Sequence, residues 1–125
     1  MTDFTRPVSL DVGIGGFCGP SYRITMAKSV LEYRGWNFSS EPIQDSIMPT
    51  ETRWKAFRRK LDKMDVWSWR KHYQSELMIM DGTQWDVQLS YPDRVIRSSG
   101  SNEYPENFDA FLRAVRALIG GLEFR

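Results

Sequence analysis

The chain has 125 residues, 41% of them hydrophobic and 26% charged, and a formal net charge of +1. This size and balance fit one globular domain, residues 1–125, with a core of its own, and exclude a disordered chain or a small scaffold held together by disulfides. One cysteine cannot form an internal disulfide, no apolar run reaches the roughly 18 residues of a membrane span, and the first residues lack a basic, apolar leader, so a cytoplasmic location away from membranes is expected.

In chain order, Val8, Leu10, Val12 and Ile14 alternate with Ser9, Asp11 and Gly13 at the two-residue period of a half-buried strand. The run Gly15-Gly16-Phe17-Cys18-Gly19-Pro20 stops it, and strands near Tyr22–Met26 and Val30–Gly35 follow as a hairpin. The segment Trp36–Pro49, with Pro42 and little periodicity, reads as an ordered loop. Thr50 is placed to cap a helix whose apolar stripe is Trp54, Phe57, Leu61 and Met64, opposite a basic face of Lys55, Arg59 and Lys63. That helix is expected to end near Asp65, where Val66-Trp67-Ser68-Trp69 alternates like a strand.

Further strands are expected at Leu77–Met80, after which Asp81-Gly82 can turn the chain, at Trp85–Tyr91 and, beyond Pro92-Asp93, at Val95–Ser99. Pro105 suits the first turn of a last helix with Phe108, Phe111, Leu112, Val115, Leu118 and Ile119 on its apolar face, and Gly120-Gly121 ends it. The expected architecture is α+β: an antiparallel sheet of five or six strands with two helices packed on one face. A gapless match of Tyr22–Gly35 to Val87–Gly100, each block followed by an aromatic helix, suggests two ββα repeats. The expected core is Ile24, Met26, Leu31, Trp54, Phe57, Leu61, Val87, Leu89, Phe108, Phe111, Leu112 and Val115.

The run from Phe17 to Thr25, FCGPSYRIT, resembles small uncharacterised bacterial domains that open a strand pair with a Cys-Gly-x-x-Tyr element, and GSNEYPENF, Gly100–Phe108, resembles a second segment of such proteins. The resemblance implies an α+β fold and a bacterial or phage origin. It carries no established activity and transfers no site residues.

Chemistry-bearing patterns are sparse. Cys18 is the one thiol and His72 the one imidazole; a reactive cysteine needs a nearby base, and an isolated one is usually a small buried hydrophobe. Gly13, Gly15, Gly16 and Gly19 lack the Lys-Ser/Thr ending and following helix of a phosphate cradle. One cysteine with one histidine does not make a zinc set, and Asp81, Asp86, Asp93, Glu103 and Glu106 show no metal or acid-pair spacing. No catalytic residue, metal or cofactor is therefore assigned.

Charge is uneven: eight Lys or Arg against Asp62 and Asp65 give the segment Arg53–His72 a charge of +6 and leave −5 elsewhere. In this segment and the residue after it, Trp67, Trp69, Arg70, Lys71 and Tyr73 on an extended stretch, beside Lys55, Arg59 and Lys63, form the expected binding surface, because Trp, Tyr and Arg dominate interface hot spots. The leading reading is a small non-enzymatic protein-binding module, of inhibitor or immunity type. The alternative is a nucleic-acid binder whose region 53–73 contacts phosphates and stacks bases, against which stands a pI near 7.9. A third is an enzyme using Cys18 or a carboxylate pair.

Overall fold

A computed structural model describes residues 5–16, 19–37, 40–74 and 82–125. Among these residues seven strands, β1 (Ser9–Gly16), β2 (Ser21–Ala27), β3 (Val30–Asn37), β4 (Ser40–Ile47), β5 (His72–Gln74), β6 (Thr83–Ser90) and β7 (Val95–Ser101), form one sheet in the order β4-β3-β2-β1-β6-β7-β5. Neighbouring strands are antiparallel except β5, which runs parallel to β7. Helices α1 (Glu51–Met64) and α2 (Phe108–Leu118) complete an α+β fold.

Period-two alternation decides which face is covered. Leu10, Val12 and Ile14 of β1, Leu31 and Tyr33 of β3, and Trp85, Val87 and Leu89 of β6 are buried with Trp54, Phe57 and Leu61 of α1 and Phe108, Phe111 and Val115 of α2 in one cluster. The intervening residues, such as Asp11, Arg23, Arg34, Asp86 and Arg97, remain on the other face, which no described helix covers. Every expected core residue is buried except Met26, which packs against the cluster at its margin.

Local signals behave as read. Thr50 Oγ1 accepts from the Arg53 amide at 3.2 Å, and Gly120 and Gly121 take positive φ at the end of α2, where the Gly121 amide donates to Arg116 O. Pro105 instead precedes α2 in a turn, its carbonyl accepting from the Phe108 amide, and Asn107 stands at the cap position.

Three expectations are corrected. Residues 40–47, read as loop, are the edge strand β4, held by pairing with β3 rather than by a buried apolar face. Residues 66–68, read as extended, are a 3-10 turn: Asp65 adopts left-handed angles (φ 52°, ψ 53°) and its carbonyl accepts from the Ser68 amide. Together with the short β5, β4 raises the strand count among the described residues to seven. The strand expected at Leu77–Met80 and the turn at Asp81 lie outside the described residues.

The two hairpins differ in register. Tyr22 pairs with Gly35, but Val87 pairs with Ser98, and Gly100 faces Trp85. The gapless match is therefore two residues out along one strand, because Lys28-Ser29 closes the first hairpin and Tyr91–Arg94 the second. The Trp85–Gly100 pair needs its glycine: a Cβ at position 100 would lie 2.3 Å from Trp85 Nε1 and 2.6 Å from Glu103 O, to which that indole donates.

The exposed edge of β4 is protected against further pairing. The Ser46 amide donates to Asp45 Oδ1 at 2.9 Å instead of to a strand, and Pro42, in the same strand phase, has no amide hydrogen. Replacing both, Pro42→Val with Asp45→Ala, is expected to shift the protein towards higher-mass species in sedimentation velocity. An unchanged distribution would show that the edge is guarded by something else.

Candidate functional site

Cross-strand register assembles a polar row on the uncovered face: Arg34, Arg23, Gly13, Asp86, Ser99 and His72 stand side by side on β3, β2, β1, β6, β7 and β5. At its centre the Arg23 side chain lies across Gly13. Nη2 donates to Asp86 Oδ1 at 2.6 Å, Nη1 to Asp86 Oδ2 at 3.1 Å, and Nη1 also pairs with Asp11. A Cβ at position 13 would sit 2.3 Å from Nη2, so the crossing requires glycine. The hydrogen bond to Asp86 is the largest of the influences that raise the Arg23 pKa above its ordinary value.

With Arg23 37% exposed and Asp86 46%, solvent screening keeps the contribution of this clamp to stability small. What it fixes is geometry, since a bidentate guanidinium–carboxylate pair holds both planes in place. Gly13→Ala is accordingly expected to cost less than about 1 kcal/mol, because only the far end of a flexible side chain must move. It should nevertheless displace the guanidinium, visible as a changed Arg23 Nε–H resonance. A large stability loss, or an unmoved resonance, would contradict this geometry.

Beyond the clamp, in the direction of Gly15, the face sinks into a groove of about 400 Å³. Ser21 and Gln84 flank Gly15 on β2 and β6, and Trp36, next to Ser21 on β3, forms an aromatic wall that is 44% exposed. The volume falls towards the lower end of small-ligand sites, roughly 300–1,000 Å³. An oriented donor group, one carboxylate, an amide, a hydroxyl and a flat indole can hold a polar group and an apolar one side by side.

The residues expected to bind are not brought together on one surface. Trp69 packs against Trp85, Phe108 and Phe111, and its Nε1 donates to Asn107 Oδ1 at 2.9 Å. Tyr73 is buried beside Trp85, its hydroxyl accepting from the Arg70 amide, while the Arg70 guanidinium covers its ring. Trp67 is half-buried against Tyr91, donates to Asp62, and has the guanidinium groups of Arg58 and Arg94 over its ring. Because residues 66–68 form a 3-10 turn, Trp67 and Trp69 do not project in line from an extended segment. Lys71 is exposed, and Lys55, Arg59 and Lys63 remain an exposed line on α1.

Arg23, Asp86 and Trp36 were missed as a group. Each sits at an outward position of an alternating strand, but only pairing across β3, β2, β1 and β6 makes them neighbours. Among the other candidates, His72 Nδ1 lies 3.0 Å from Ser99 Oγ on the exposed face, with Asp86 committed to Arg23 rather than to the imidazole. Cys18 lies outside the described residues, so its relation to His72 is not defined. Asp93 pairs with Arg58, Glu103 and Glu106 are exposed, and among the described residues no group of three or more His, Cys, Asp or Glu could hold a metal ion.

No described helix is long and apolar enough to cross a membrane. Compared with known proteins, the chain matches no family model and no curated sequence.

Proposed function

We propose that the chain is a small non-enzymatic binding module that recognises another protein through the uncovered face of its sheet, in the manner of an inhibitor or immunity-type partner from a bacterium or phage. The observation that carries the reading is the Arg23 clamp beside half-exposed Trp36. Arginine and tryptophan are the residues whose truncation most often weakens an interface, and a side chain already held in place loses less freedom on binding. The two hairpin-and-helix halves are read as a diverged repeat, whose joined sheets give the face its breadth.

A second reading is supported by the line of Lys55, Arg59 and Lys63, spaced about 6 Å apart by the rise of four helical residues. These cations are exposed on α1 and can meet phosphates, so nucleic acid remains the competing partner class.

Photo-crosslinking residues introduced singly at positions 34, 84 and 59 separate the two. A discrete protein adduct from positions 34 and 84, lost when Gly13→Ala is added, is the expected result. Adducts from position 59 alone, or adducts destroyed by nuclease, would move the site to α1.

A further inference from the structure

Arginine presents five N–H donors in a rigid plane. In Arg23 the end-on pair meets Asp86 and the remaining Nη1 hydrogen meets Asp11, which leaves Nε–H and one Nη2–H without a partner among the described residues. Asp11 stands two residues before Gly13, so the opposite edge of the guanidinium points the other way along β1, towards Gly15 and the groove. Ser21 and Gln84 stand on either side of that edge, and Trp36 completes the wall.

Charge selects what this edge can take. The charged side chains that line the groove, Arg23 and Asp86, sum to zero, so nothing draws in a carboxylate, and one seated on the donor edge would be repelled by the neighbouring Asp86. A cation would instead face the guanidinium. A neutral carbonyl oxygen accepts from both hydrogens and suffers neither repulsion, while the Gln84 carboxamide or the Ser21 hydroxyl can take the adjoining amide hydrogen.

We propose that the groove takes an uncharged peptide segment of the partner, with one backbone carbonyl accepting from Nε–H and Nη2–H of Arg23 and an apolar side chain lying on Trp36. This inference rests on the reading of the sheet face as a protein-recognition surface. A strand added at the β4 edge would be another way to bind a peptide, and that edge is closed to it by Pro42 and by the Asp45 cap on Ser46.

The test is a titration of the ¹⁵N-labelled full chain followed at the Arg23 Nε–H and Trp36 Nε1–H resonances. The probes are N-acetyl-leucine methylamide, sodium acetate at matched ionic strength, and methyl glucoside. The amide should shift both resonances saturably in the millimolar range, and Arg23→Lys, which keeps the charge but lacks the fork, should weaken it about tenfold or more. Acetate or the glucoside saturating the same resonances at lower concentration would overturn the peptide assignment in favour of an anion or a carbohydrate. No shift with any probe would overturn it altogether. If position 34 still crosslinks to a protein in that case, only the peptide-acceptor inference falls; if it does not, the recognition surface falls with it.

Discussion

Phe124→Ala is expected to destabilise the protein by about 3 to 5 kcal/mol, as much as Phe111→Ala in the middle of α2, although it lies one residue from the end of the chain. Both side chains are completely buried. After the glycine turn the tail folds back: Phe124 packs beside Tyr22, Arg116 Nη1 donates to Phe124 O at 2.9 Å, and the Tyr33 hydroxyl donates to Glu123 O at 2.7 Å. The tail is thus pinned through its backbone, so an alanine there leaves a cavity instead of releasing the strap. Urea melts at constant m-value would read the loss directly, and Phe124→Leu should restore most of it. A loss below about 1 kcal/mol for Phe124→Ala would place the ring outside the core.

Arg58→Ala is expected to cost about 2 to 4 kcal/mol, and Arg58→Lys to recover less than half of that. The Arg58 side chain is only 12% exposed and joins three parts of the chain. Its end-on nitrogens donate to both oxygens of Asp93 at 2.9 and 2.7 Å, its Nε donates to Asp62 at 2.9 Å, and the guanidinium lies 4.7 Å from the Tyr91 ring centre and 5.3 Å from that of Trp67. Lysine keeps the charge but loses the fork and the flat stacking surface.

The same pairing gives a pH dependence. The hydrogen bond from Arg58, reinforced by the charges of Arg58 and Arg94, holds the Asp93 carboxyl below the usual carboxylate range. A depressed folded-state pKa contributes stability that is present above the unfolded value of about 3.9 and is lost as pH falls through the folded one. The stability gap between wild type and Arg58→Ala should therefore narrow in melts taken progressively below about pH 4. A gap that widens on acidification would mean that Asp93 is not the controlling partner.

What was legible in the sequence is what short-range chemistry determines. Trp54, Phe57 and Leu61 mark one helix face by spacing alone, Thr50 caps by its own hydroxyl, and Leu10, Val12 and Ile14 declare a half-buried strand. Strand β4 carries no such mark, since its residues lie at an exposed edge and become a strand only because β3 offers partners. Val66-Trp67-Ser68-Trp69 imitates a strand because its indoles happen to alternate, yet the left-handed Asp65 turns the chain before a strand can extend. Phe124 follows a helix terminator, where neither periodicity nor propensity distinguishes a plug from a tail.

The candidate site was less legible still, for a physical reason. Arg23 and Asp86 are 63 positions apart, and the pair exists because β1 lies between their strands with a glycine at the crossing. Register across three strands is a property of the whole sheet. Clusters of tryptophan and lysine are visible in a sequence, and here Trp69 served the core while the lysines formed a solvated helix face.

The most direct test of the sheet-face account is the affinity of the crosslinked partner for wild type, Trp36→Ala and Trp67→Ala, each confirmed folded by its melt. Loss of Trp36 is predicted to weaken binding by about 2 kcal/mol or more, as expected of an aromatic anchor, with Trp67→Ala within a few tenths of wild type. Full affinity in Trp36→Ala, with the loss appearing instead in Trp67→Ala or on charge reversal at Lys55 and Arg59, would contradict the account and return recognition to the helix side.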